Sequence, residues 1–165
     1  MKKSVEELYS MGQRCINLGN PKEALHYFNQ VLDLEPTHQK SLVKKGNVLG
    51  KFGKYLQAIS YYDLALEQDQ EDLLALLNKG LALHYLENYD EAISCYDKAL
   101  QIQPHNTIAL YNKCSSLIRK NQIKEGLEIL QKAIRLDFSY KAKARYDIDF
   151  FEISHLDEFQ KLVSF

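Results

Sequence analysis

Apolar and small residues recur along this chain with one fixed step. Leu8, Leu42, Leu76 and Leu110 are 34 residues apart, and Gly12, Gly46 and Gly80 keep that step four positions later. The stretches Leu8-Gly12-Cys15, Leu42-Gly46-Leu49, Leu76-Gly80-Leu83 and Leu110-Cys114-Leu117 share a spacing of four then three, which puts the three side chains on one helical face. A second pattern follows each of them: Ala24-Phe28-Val31, Ala58-Tyr62-Ala65, Ala92-Tyr96-Ala99 and Gly126-Leu130-Ala133. Two helices approach closely only where neither carries a bulky side chain, so the small residues predict crossing points, with the aromatics at 28, 62 and 96 filling the space beside them. The patterning predicts helices over 4–18, 21–34, 38–52, 55–68, 72–86, 89–102, 106–120 and 123–136. Gly19 and Gly53 are placed to close first helices in the left-handed conformation, and Pro21 to open a second helix where its missing N–H costs nothing.

On a 34-residue frame the repeats run 5–38, 39–72, 73–106 and 107–140. The period, the small-residue positions and the late Pro36 and Pro104 resemble the tetratricopeptide repeat family. That resemblance implies an all-α fold: a right-handed superhelical solenoid of stacked antiparallel helix pairs, forming a single domain over 1–165. Repeat 2 has Gln70 and repeat 4 has Phe138 where the family carries proline, and repeat 4 has Cys114 and Gly126 in place of the usual glycine and alanine. The RNA-reading pentatricopeptide family has a repeat one residue longer, and this register does not drift. Residues 141–165 leave the register and resemble the end-of-array segment of bacterial family members. The resemblance implies a cap that buries the apolar face of the last repeat, built from Ala144, Asp147, Phe150, Phe159 and Leu162. Ser154, with Asp157 and Glu158 downstream, reads as a helix N-cap.

Composition narrows the function classes. The chain carries 21 basic and 22 acidic residues, interspersed, for a net charge of −1. Nucleic-acid binding leaves a basic stripe, so no nucleic-acid partner is expected. No window reads as a membrane span and the start, MKKSVEELYS, lacks the apolar run of a signal peptide, so no membrane association is expected. Cys15, Cys95 and Cys114 are odd in number and two of them sit at or beside core positions; free buried thiols point to the cytoplasm. The five histidines show no ligand spacing, and HExxH, CxxC and phosphate-binding glycine loops are missing from the sequence. The expectation is a non-enzymatic protein with no catalytic residue, no metal and no cofactor.

The resemblance further implies that the first helix of each repeat lines a concave groove with its second, fifth, sixth and ninth positions. Repeat 1 would contribute Glu6, Tyr9, Ser10 and Gln13, and repeat 2 Lys40, Val43, Lys44 and Asn47. Repeat 3 would contribute Leu74, Leu77, Asn78 and Leu81, and repeat 4 Ile108, Tyr111, Asn112 and Ser115. Asn47, Asn78 and Asn112 form a ladder of amides able to hold an extended peptide backbone, or are simply polar residues on a wet surface. DLLALLNKGLALHYL is apolar on nearly every side, which predicts that Leu74, Leu77 and Leu81 make an apolar floor flanked by Val43, Ile108 and Tyr111. The alternative is that neighbouring helices or the C-terminal segment cover that floor. The chaperone-adaptor members of the family hold a terminal carboxylate with two asparagines and three cations. Asn47 and Asn78 match, whereas Val43, Ile108 and Asn112 occupy the cationic positions, so that ligand is not expected. The reading is a module that binds a protein or peptide partner, in extended or helical form, in its groove. The rival is a homo-oligomer, a scaffold that assembles through the same apolar groove.

Overall fold

The computed structural model describes residues 3–164. Eight helices alternate along the first 136 residues: α1 (Val5–Asn17), α2 (Pro21–Leu34), α3 (Gln39–Lys51), α4 (Tyr55–Gln68), α5 (Leu73–Tyr85), α6 (Tyr89–Ile102), α7 (Thr107–Arg119) and α8 (Ile123–Leu136). Each lies within a residue of the span that the apolar pattern predicts. Then come α9 (Ser139–Tyr146), a 3-10 helix (Ile148–Ile153) and α10 (Asp157–Val163). No strand occurs among the described residues. The chain forms two compact units, one ending at Ala82 and one beginning at Leu83.

The helix starts obey the same step as the core. Ser4 opens α1 with a capping box, its hydroxyl accepting from the Glu7 N–H while the Glu7 carboxylate accepts from Ser4 N–H. His38, Asp72 and Asn106, each 34 residues further on, accept from the N–H groups of Ser41, Ala75 and Ala109 at 3.2, 2.9 and 2.9 Å. The stops repeat as well. Gly19 and Gly53 have φ of +76° and +71°, and the same register position is held by Glu87 at +61° and Asn121 at +67°. Asparagine tolerates the left-handed region; for glutamate it costs about 1–2 kcal/mol.

In the N-terminal unit, close helix approach depends on missing side chains. A Cβ on Gly12 would lie 2.6 Å from the Phe28 ring, and one on Gly46 would lie 2.5 Å from Tyr62. Leu42, Val43, Leu49, Ala58, Tyr62 and Ala65 form one buried cluster with Ala75 and Ala82 from the next first helix. Lys79 bridges to Asp63 of the preceding second helix at 2.6 Å.

In the C-terminal unit the same lateral bridge recurs as Lys113 to Asp97 at 2.7 Å. Repeat 4 relocates its close approach: Cys114 is fully buried, and it is Gly126 whose added Cβ would meet Ile118 at 2.5 Å. The terminal segment packs on α7 and α8. Tyr140, Ala144, Phe150, Ile153, Phe159 and Val163 share a core with Tyr111, Ile118, Leu127 and Leu130. Val163 is fully buried and Leu162 only half-buried, so the inward position of α10 lies one residue beyond the one expected. Ser154 is not an N-cap: the cap position of α10 is Leu156, and Ser154 ends the 3-10 helix instead. Asp147 opens that helix, accepting from the Asp149 N–H at 3.1 Å. The tighter 3-10 winding, three residues per turn, turns Phe150 and Ile153 inward together and leaves Ile148 and Phe151 outward together.

Candidate functional site

The first helices present the register positions singled out in the sequence, and burial sorts them by position. In the N-terminal unit the second position is exposed (Glu6, Lys40 and Leu74), and Lys44, Asn47, Asn78 and Leu81 are half-buried. Val43 and Leu77, at the fifth position, are 4% and 6% exposed and belong to the interior. Val43 packs beside Ala75 of the next first helix, so this position serves contact between repeats and not a groove floor. The apolar floor expected from the sequence is therefore reduced here to Leu74, 58% exposed, and part of Leu81. In repeat 1 the same position holds Tyr9, half-buried, with its ring 5.3 Å from His38 and its hydroxyl accepting from Gln13 Nε2 at 2.8 Å. Burial raises the Tyr9 phenol above its ordinary range, partly offset by that bond.

The asparagine ladder is partly engaged with itself. Asn47 Oδ1 accepts from the Tyr62 hydroxyl and from Asn78 Nδ2, both at 2.9 Å. These bonds leave the Asn47 amide N–H groups and the Asn78 carbonyl oxygen for another partner. Burial holds the Tyr62 phenol far above the usual tyrosine range, so it remains a donor to Asn47 throughout the neutral range. Lys40 and Lys44 lie one turn apart on α3.

In the C-terminal unit Ile108 is 51% exposed and Asn112 is half-buried, whereas Tyr111 is 2% exposed and Ser115 is buried. Tyr111 is claimed by the terminal segment. Its hydroxyl donates to Asp147 Oδ2 at 2.7 Å, its ring stacks on Tyr140 at 4.7 Å, and Lys143 Nζ stands 4.1 Å above it. Burial, followed by the Asp147 carboxylate, pushes this phenol far up. Tyr111 is thus a docking post for the cap and not a groove residue. Asn112 lies beside the Tyr96 hydroxyl, which is buried without a partner in bonding geometry. Burial raises that phenol strongly, and Asn112 is near enough to offset part of the shift. In the sequence, Leu81 holds the position in repeat 3 that Asn47 holds in repeat 2.

A cluster without any sequence signal joins His84, Ser116 and Asp149. His84 Nδ1 shares a hydrogen bond with Ser116 Oγ at 2.9 Å, and Nε2 faces Asp149 Oδ2 at 3.1 Å, with Arg119 Nε 4.0 Å from the other carboxylate oxygen. Serine, histidine and aspartate in line suggest nucleophilic chemistry, but Ser116 is fully buried and no substrate reaches it. The cluster ties the 3-10 helix to α7. The three cysteines are buried and form no disulfide, and burial pushes the Cys15 and Cys114 thiols up, which makes them poor nucleophiles. Among the described residues no group of three or more His, Cys, Asp or Glu is arranged to hold a metal, and no helix is long and apolar enough to cross a membrane.

Comparison with known proteins adds to this geometry. Tetratricopeptide repeat family models match residues 5–38, 39–72 and 74–106. Among curated proteins none matches the sequence. Among solved structures, MamA 41-end from Desulfovibrio magneticus RS-1 is similar with a TM-score of 0.84 and 23% identity, covering 98% of this chain and 90% of that one. YrrB, described as a TPR protein with an unusual peptide-binding site, aligns with a TM-score of 0.77 and 15% identity over 96% of this chain and 82% of its own. The first TPR of Spaghetti (RPAP3), bound to the HSP90 peptide SRMEEVD, aligns with a TM-score of 0.66 and 20% identity over 68% and 89%. At these identities the structures attest to the fold alone, an all-α tetratricopeptide solenoid. With three of its repeats matched in the register that its own core, caps and turns define, this chain belongs to the tetratricopeptide repeat family.

Proposed function

We propose that the exposed face of the first helices holds a segment of a partner protein. The observation that carries this reading is Leu74, a large apolar side chain left 58% exposed one turn from Asn78, beside amide groups with unused donors and acceptors. An exposed leucine gives the fold nothing, whereas burying it against a ligand contributes about 1.5–3 kcal/mol. In the N-terminal unit the face comprises Lys40, Lys44, Asn47, Leu74, Asn78 and Leu81. In the C-terminal unit Ile108 and Asn112 hold the corresponding positions. YrrB has a peptide-binding site on this fold and the Spaghetti repeat is bound to a peptide, which supports the class of ligand but not its sequence.

The test begins with peptides selected from a random library against the protein, each measured by fluorescence anisotropy. Leu74→Asp and Asn78→Ala should each weaken a selected peptide, the first by about tenfold or more, since 1.4 kcal/mol is a factor of ten. Leu18→Asp, an exposed apolar position outside this face, serves as the control. Binding that survives Leu74→Asp but not the control would place the ligand elsewhere and defeat the reading. Sedimentation at rising concentration examines the rival. Association abolished by Leu74→Asp would make the occupant a second copy of the chain.

A further inference from the structure

Resting on that reading, we propose that the α3–α5 face of the N-terminal unit takes an acidic, extended segment of its partner. Two carboxylates two residues apart would pair with Lys40 and Lys44, and an apolar side chain further along would pack on Leu74.

The argument starts from which cations the fold has already used. Lys45 stands 4.3 Å above the Tyr61 ring, and Lys79 is bonded to Asp63 at 2.6 Å. Lys40 and Lys44 reach no carboxylate among the described residues. The acid at the start of α5, Asp72, accepts from Gln39 Nε2 at 2.8 Å and from the Ala75 N–H at 2.9 Å, so its oxygens are engaged elsewhere. The first turn of α3 contains no acidic residue at all. Like charges four apart on a helix repel, and a lysine near a helix N-terminus opposes the helix dipole. This arrangement works against the fold and favours an anionic ligand.

Spacing sets the form of that ligand. Side chains four apart on a helix have Cβ atoms about 5–6 Å from each other. Along an extended chain, side chains on one side recur every two residues, about 6.6 Å apart. A Glu-x-Glu segment in extended form therefore meets both ammonium groups without bending. The Asn47 N–H groups and the Asn78 carbonyl, left over from their mutual bond, are suited to hold its backbone. A nucleic acid also carries anions. Two lysines beside an exposed leucine, in a chain of net charge −1, favour the peptide.

The probe is a fluorescein-labelled peptide, Glu-Ser-Glu-Ser-Leu-Ser-Leu, with counterparts carrying Gln or Lys in place of Glu, and a single-stranded oligouridine of similar length. Amide resonances of α3 and α5 are followed by NMR alongside anisotropy. The Glu peptide should shift resonances on both helices and bind about two- to thirty-fold more tightly than the Gln peptide, the range two exposed ion pairs supply. Its affinity should fall with salt, and Lys40→Gln/Lys44→Gln should abolish the preference for Glu over Gln. Both lysines are outside the core, and CD confirms that the variant folds. Equal binding of the Glu and Gln peptides, still mapped to α3 and α5, overturns the acidic ligand and leaves the interaction face standing. No binding by the Glu peptide overturns the acidic ligand, while a library-selected peptide whose shifts are confined to other helices overturns both readings. Preferential binding of oligouridine overturns the peptide in favour of nucleic acid.

Discussion

Replacing Gly46 with alanine sets helix propensity against packing, and the distances decide which prevails. In a helix interior alanine is favoured over glycine by about 1 kcal/mol. Here the new Cβ would lie 2.5, 2.9 and 3.0 Å from three carbons of the Tyr62 ring, where ordinary carbon contacts are about 3.5–4.0 Å. The ring is only 3% exposed and its hydroxyl is tied to Asn47, so it cannot swing into solvent. Overpacking of this kind costs about 1–3 kcal/mol, and displacing the hydroxyl from Asn47 costs about 0.5–1.5 kcal/mol more. The net loss is about 0.5–3.5 kcal/mol, and for a chain of this size each kcal/mol lowers Tm by roughly 2–4 °C. Gly50, one turn later on the same helix, is the internal control. Its Cβ would meet only the Tyr62 hydroxyl at 3.8 Å, so Gly50→Ala should gain up to about 1 kcal/mol from propensity alone. Thermal and urea unfolding followed by far-UV CD reads both variants. A Gly46→Ala protein as stable as wild type, or two variants that shift in the same direction, would refute the packing argument.

Leu77→Ser should cost about 2–5 kcal/mol because that residue is interior, whereas Leu74→Ser, three residues earlier and exposed, should stay within about 0.5 kcal/mol; urea midpoints separate them. Glu87→Gly should stabilise by up to about 1 kcal/mol by removing the left-handed strain at φ +61°, again read from the urea midpoint. Tyr111→Phe should loosen the terminal segment by about 1.5–3 kcal/mol through loss of the bond to Asp147, seen as faster amide exchange over 139–164 with exchange in α1 to α4 unchanged. Tyr62, Tyr96 and Tyr111 have phenols raised by burial, so the stability they contribute is intact below the unfolded phenol pKa of about 10 and is lost as pH rises above it. An alkaline titration should therefore show these three ionising only together with loss of the far-UV CD signal.

The repeating part of this protein was legible because its determinants are local and recur. The small residues, the aromatics that fill beside them and the caps at Ser4, His38, Asp72 and Asn106 all keep one step, so the helices could be read from sequence to within a residue. The left-handed stops at Glu87 and Asn121 were hidden, since only glycine announces that conformation and the neighbouring repeats impose it regardless. On the first helices, sequence picked out the register positions but could not tell which of them the next helix covers. Val43 and Leu77 look as available as Leu74 in a linear pattern, yet burial separates them, and for Val43 the packing beside Ala75 accounts for it. Tyr111 went to the cap through a bond to a residue 36 positions away, and His84 meets Ser116 from 32 positions away. The terminal segment makes these contacts only once, so no period marks them, and side chains that meet by long-range folding leave no trace in local spacing. Asn47 and Asn78 lie between these cases: their recurrence on first helices was visible in the chain, whereas their bond to each other, and with it the donors and acceptors left for a partner, was set by how α3 packs on α5.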